Sequence, residues 1–134
     1  MISEVGTLPI GVMHAGERCR NFTLRPLQVK DSLAVRRSPD ADKAASDDEY
    51  MGLCLLGRRL TIEGVPLEVQ NLDFMLNLYD DDLAEIMAAE ARLSEELARF
   101  RGEVQKAADP GPVEPEDPME DRTADAGGGG PGMA

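Results

Sequence analysis

The chain has 134 residues, room for one hydrophobic core of the usual size of about 100 residues and no more. Its 26 acidic residues outnumber 14 basic ones, and the net charge of -12 argues against a nucleic-acid or anionic-membrane surface as main partner. One histidine, His14, and two distant cysteines, Cys19 and Cys54, fall short of a zinc ligand set.

The cysteines read as reduced, packed thiols of a cytoplasmic protein. No run approaches the roughly 20 apolar residues that cross a bilayer. The N-terminus lacks the charged-then-apolar order of a secretion signal, so a soluble protein without a cleaved leader is expected. Charge is uneven along the chain. From Glu17 to Arg37 six basic residues stand against two acidic ones, a local charge of +4; from Glu63 to Glu96 Arg92 alone opposes ten acidic residues, a local charge of -9. The two regions are read as solvated faces that can also attract each other, within the fold or between copies.

In chain order, the first element is a β-hairpin. Leu8, Ile10, Val12 and His14 alternate on one side, Ala15-Gly16-Glu17 supplies a turn, and Cys19 to Leu24 returns antiparallel. His14 then sits at a strand end without a carboxylate beside it, an ordinary position and not that of a base. The stretch Phe22 to Asp31, FTLRPLQVKD, rewrites the pattern. Phe22-Thr23-Leu24-Arg25 alternates as a half-buried strand, and Pro26 stops it by removing an amide and holding Arg25 extended. Leu27, Val29, Leu33 and Ala34-Val35 then approach helical spacing over Gln28–Arg37, with Asp31 in the first turn where the helix dipole favours a carboxylate.

Ser38 to Ser46 reads as a polar linker. Ser46 with Glu49 forms a capping-box pattern that starts a second helix. Tyr50, Met51, Leu53, Cys54, Leu55 and Leu56 make that helix apolar nearly all round, which places it centrally, and Gly57 or Arg58-Arg59 ends it. Leu60 to Pro66 is a short extended connection turning at Gly64. A third helix, starting at Leu67 or Asn71 and running to Leu78, is expected to bury Leu72, Met75, Leu76 and Phe74.

The last helix is capped by Asp80, with Asp81 and Asp82 in its first turn. Leu83, Ile86, Glu90, Leu93, Leu97, Phe100 and Val104 follow at alternating spacings of three and four, a heptad-like seam interrupted only by Glu90. The first half of the seam is expected to pack on its own domain. A helix of roughly 25 residues, or about 37 Å, exceeds what short neighbouring helices cover. Leu93, Leu97, Phe100 and Val104 are therefore expected to bind a partner helix or a second copy, making the protein a homo-oligomer.

The expected fold is mainly α with a short N-terminal β-hairpin, a small α+β domain over residues 1–106 that ends in the long seam-bearing helix. Residues 107–134 form an acidic Pro/Gly-rich tail with too little apolar surface to offset the entropy of ordering it, so it is expected to be disordered.

The order of these features resembles the tail assembly chaperones of Mu-like and P2-like contractile-tailed phages and prophages. The resemblance spans roughly residues 5 to 90 and rests on the hairpin, FTLRPLQVKD, GLCLLGRRL at Gly52–Leu60, LDFMLNLYDDDLAEI at Leu72–Ile86 and the acidic end. It implies a non-enzymatic protein of the host cytoplasm that binds the helical tape measure protein during tail morphogenesis, keeps it soluble and is absent from the finished virion. Chaperones of this kind are often made in two lengths by a ribosomal frameshift. The Gly127–Gly130 run suggests a G-rich slippery site, which would make a frameshift-extended form of the chain a further partner. The resemblance assigns no individually essential residue.

Two other classes are weighed beside it. One is a small self-associating helical adaptor, a coiled-coil dimer through Leu93 to Val104 with no phage-tail role. The other is an enzyme in which Asp80-Asp81-Asp82 hold a metal. Adjacent side chains at a helix start diverge, and no nucleophile, base or phosphate loop accompanies them. Helix capping explains the three aspartates, and the sequence is read as holding no catalytic, cofactor-binding or metal-ligating residue and needing no cofactor.

Overall fold

Ala15 and Gly16 both take positive φ, 52° and 81°, the two-residue reversal whose twist matches that of the strands it joins. It connects β1 (Glu4–His14) to β2 (Glu17–Leu24), which pair antiparallel from His14↔Glu17 to Glu4↔Leu24. The computed structural model describes residues 2–108. Of the tail expected over 107–134, residues 107 and 108 belong to the final helix and the rest, with the glycine run, lies outside the described residues. The chain divides into two units, Met1–Ala98 and Arg99–Ala134. The first holds every element below except the last turns of the final helix.

A third strand, β3 (Leu60–Ile62), pairs antiparallel with β2, giving the sheet order β1-β2-β3. The sequence presents this segment as a mere connection, because three residues are too short to display a period. Leu24 opposite Leu60 and Phe22 opposite Ile62 turn one sheet face to the core, where all four are buried.

β1 is not regular. Thr7 pairs with Asn21 and Val12 with Cys19, so the four residues Leu8 to Gly11 face Arg20 alone. Pro9 brings no amide to this bulge. Gly11 sits at φ 94°, where an added Cβ would come within 2.9 Å of the Cys19 carbonyl oxygen, so the position requires glycine. Side chains satisfy the displaced backbone. The Ile10 and Gly11 amides donate to the two carboxylate oxygens of Asp82 at 2.8 and 2.9 Å. Arg20 Nε donates to the Leu8 carbonyl at 2.8 Å, and Arg18 Nε to that of Ile10.

The junction after β2 is held by charge. Pro26 ends the strand as expected, and α1 covers Val29–Arg36. The buried Asp31 carboxylate takes a two-pronged pair from Arg25, at 2.7 and 2.9 Å, and accepts the Gln28 amide at 2.8 Å. Arg25 also donates to the Arg58 carbonyl at 3.0 Å, and Arg59 Nε returns a bond to the Arg25 carbonyl at 2.9 Å. The clamp therefore ties the proline corner to the end of α3 (Asp48–Arg59).

Residues 38–46 are not a linker throughout. Ala41–Ser46 forms α2, with Ala44 buried and the Asp40 carboxylate accepting the Leu72 amide at 3.1 Å. α3 begins one residue later than the Ser46–Glu49 box implies: its cap is Asp47, which accepts the Glu49 and Tyr50 amides, while the Ser46 hydroxyl turns back to the Lys43 carbonyl. The third expected helix is split into a 3-10 turn, Leu67–Val69, and α4 (Leu72–Leu76), capped by Asn71. Leu72 and Met75 are buried and Phe74 half-buried, but Leu76 is 50% exposed, not core.

α5 runs Asp80–Ala108. Its first turn is entered from Tyr79, whose carbonyl accepts the Leu83 amide at 3.0 Å, so Asp80 does not cap it. Asp82 is spent on the β1 bulge and not on the helix start. Ile86, Ala89 and Leu93 are buried with Leu8, Phe22, Leu24, Leu56 and Met75 in the main core; Val35, Ala44, Cys54 and Leu72 form a second cluster under α3. Glu90, the break in the expected seam, pairs with Arg59 at 2.6 Å.

Candidate functional site

The expected partner-binding seam is divided by the fold. Leu93 is fully buried among the sheet and α3 residues of the main core, and Leu97 is half-buried against the same cluster. For Leu93 the expectation of an interface is corrected: the sheet and α3 cover it. Phe100 is 55% exposed. The side chain of Val104 lies outside the described residues.

A different apolar surface lies on α5. Leu83 and Met87 are one turn apart on a stripe next to the buried Ile86–Ala89–Leu93 stripe, and Glu90 continues it at i, i+7. Together with Leu53, Leu56 and Gly52 of α3, Leu76 of α4 and Leu27 of the proline corner they line an open groove of about 610 Å³. Leu27, Leu76 and Met87 are each about half exposed, so the walls present large apolar side chains to water. A Cβ added at Gly52 would meet nothing within 4 Å, which leaves that wall low.

The Arg59–Glu90 pair, both of whose residues line the groove, spans from the last residue of α3 to α5, with Arg59 itself buried. Glu49 lines the same groove from the first turn of α3, and Leu83 from the first turns of α5. Glu49 is exposed and forms no ion pair among the described residues.

Among the described residues no three His, Cys, Asp or Glu groups are placed to share a metal ion. Asp80 and Asp81 face solvent while Asp82 is buried against β1. Burial, aided by the nearby Asp40 carboxylate, pushes the Cys54 thiol up, which favours the unreactive protonated form. Both cysteines are buried and free. No described helix is long and apolar enough to cross a membrane.

Sequence reasoning missed this groove because it sought one seam. Its signal was present as surplus: Met87 and Leu76 are apolar residues that neither the buried stripe of α5 nor the core face of α4 uses. No family model matches the chain, and no curated protein or solved structure does either.

Proposed function

We propose that this protein is a phage or prophage tail assembly chaperone that covers apolar helical surface of a tape measure protein until the tail tube encloses it. The observation that carries the reading is the apolar groove between α3 and α5, whose half-exposed leucines and methionine suit a helix laid into a groove. The order of hairpin, Leu-Arg-Pro corner and acidic last helix, on which the family resemblance rests, supports it from the sequence side. The excess negative charge keeps such a complex dispersed. On this reading the protein works in the host cytoplasm and leaves before the virion is complete.

Co-expression of the full chain with the tape measure protein of the same genome tests the proposal. A soluble complex, with the tape measure protein precipitating when expressed alone, is the expected result; a tape measure protein that aggregates unchanged overturns it.

The exposed ring of Phe100 favours a second reading, a self-associating adaptor joined through the last turns of α5. Light scattering separates the two. A stable dimer that Phe100→Ala dissolves, with no affinity for the tape measure protein, belongs to the adaptor.

A further inference from the structure

We infer that the groove between α3 and α5 selects a helix whose apolar stripe carries one neutral hydrogen-bond acceptor, an amide or hydroxyl side chain, which takes the bonds that Nη1 of Arg59 has left to give. The inference rests on the chaperone reading for the source of that helix, a segment of the tape measure protein. The need for an acceptor comes from Arg59 itself.

Arg59 is a charged side chain in an apolar wall. It is 9% exposed and lines the groove with Leu53, Leu56, Leu83 and Met87. A guanidinium has five N–H groups to place. Nε donates to the Arg25 carbonyl at 2.9 Å and Nη2 to Glu90 at 2.6 Å, whereas Nη1 has no hydrogen-bond partner among the described residues. Among those residues the side-chain atoms sealed from solvent without a partner are Gln70 Oε1 and Glu96 Oε1, so Nη1 keeps access to water. The groove wall is where Arg59 meets that water.

A helix laid into the groove takes the water away. A purely apolar stripe then leaves N–H groups of a charged side chain without any partner, which costs more than one ordinary hydrogen bond contributes. An acceptor in the stripe removes that loss, so the groove discriminates between two helices of equal hydrophobicity. Charge decides which acceptor. Glu90 already balances Arg59, and a carboxylate would bring a second negative charge into the same covered place, while a neutral oxygen adds none. Glu49, the third charged residue of the lining, is exposed and keeps its own hydration.

The probe is a set of designed helical peptides of about three turns with a leucine stripe, in which glutamine or glutamate replaces each stripe leucine in turn. Binding to the full chain is read by fluorescence anisotropy. Glutamine at one stripe position is expected to bind at least about tenfold tighter than the all-leucine parent, and glutamate at that position more weakly than glutamine. Met87→Asp, at a residue 47% exposed, is expected to abolish binding of the whole set while circular dichroism shows an unchanged fold. Arg59→Met combined with Glu90→Met removes the ion pair as a unit, which a fold tolerates better than the loss of one member. In that double variant the all-leucine parent is expected to become the tightest binder; if the variant does not fold, the wild-type comparison decides alone. A parent that binds the wild-type chain as tightly as every glutamine peptide, a glutamate peptide that outbinds its glutamine counterpart, a glutamine preference that survives the double substitution, or binding indifferent to Met87→Asp overturns the inference.

Co-expression of the wild-type chain with the tape measure protein keeps the two readings apart. Solubilisation by a chain that shows no glutamine preference overturns the inference and leaves the chaperone reading standing. A glutamine preference in a chain that cannot solubilise the tape measure protein overturns the chaperone reading and leaves the groove.

Discussion

Asp82 holds the amide of Gly11 at 2.9 Å across 71 residues of sequence, in a buried position at the start of α5. The bond belongs to a pair, since the other carboxylate oxygen takes the Ile10 amide, and between them they account for the two amides that the β1 bulge withdraws from the sheet. Asp82→Ala leaves both donors buried without partners and is expected to destabilise the domain by about 2–4 kcal/mol. Asp81→Ala, one residue away and exposed, is expected to change stability by less than about 0.5 kcal/mol. Urea unfolding of the two variants checks the contrast.

The Arg25–Asp31 clamp makes stability depend on pH. Burial alone pushes the Asp31 carboxyl up, but the Arg25 guanidinium and the Gln28 amide outweigh it and hold the group below its ordinary value. A carboxylate depressed in the folded state contributes stability that is fully present above its unfolded value of about 3.9 and is lost as pH falls through the lower folded value. Arg25→Met removes the main opposing charge from a nearly buried carboxylate and is expected to cost about 3 kcal/mol at neutral pH. The double variant Arg25→Met with Asp31→Asn should recover part of that loss and show a flatter stability profile below about pH 4. Denaturant titrations across the acid range give the measurement.

Two glycines of α3 predict opposite outcomes for the same substitution. At Gly57 an added Cβ would stand 2.7 Å from the Gln70 carbonyl oxygen, a backbone atom that a flexible side chain cannot move aside. Gly57→Ala is expected to destabilise by about 1–3 kcal/mol. Gly52 has open space and ordinary helical geometry, so Gly52→Ala should gain about 0.5–1 kcal/mol from helix propensity. Thermal unfolding of the two variants side by side settles it.

The divided seam of α5 gives a third contrast. Leu93→Ala empties a fully buried site and is expected to cost about 2–5 kcal/mol. Phe100→Ala removes a ring that is 55% exposed and should leave stability within about 0.5 kcal/mol. Equal losses from the two in urea unfolding would mean that α5 is buried to a similar depth at both positions.

What could be read in advance was local chemistry. Ala15-Gly16 announced the hairpin turn, Pro26 the end of β2, and the first half of the α5 seam, at Leu83 and Ile86, its packing on the domain. What could not be read depends on distant partners. Arg25 and Asp31 face each other across a proline corner, a geometry that no helical or strand period encodes. α2 looked like a linker because its composition is polar, yet Asp40 and Ala44 make it part of the second cluster. Glu90 looked like a flaw until Arg59 was placed opposite, and Asp82 looked like a capping residue until β1 proved to be bulged.

The bulge also sets an order of events in synthesis. Both strands of the hairpin are complete once Leu24 has been made, but the groups that quiet its amides at Ile10 and Gly11 belong to a residue translated much later. Until Asp82 is in place, water is the partner left to those two amides. The protons of those two amides should therefore be protected from exchange with solvent only while α5 is docked.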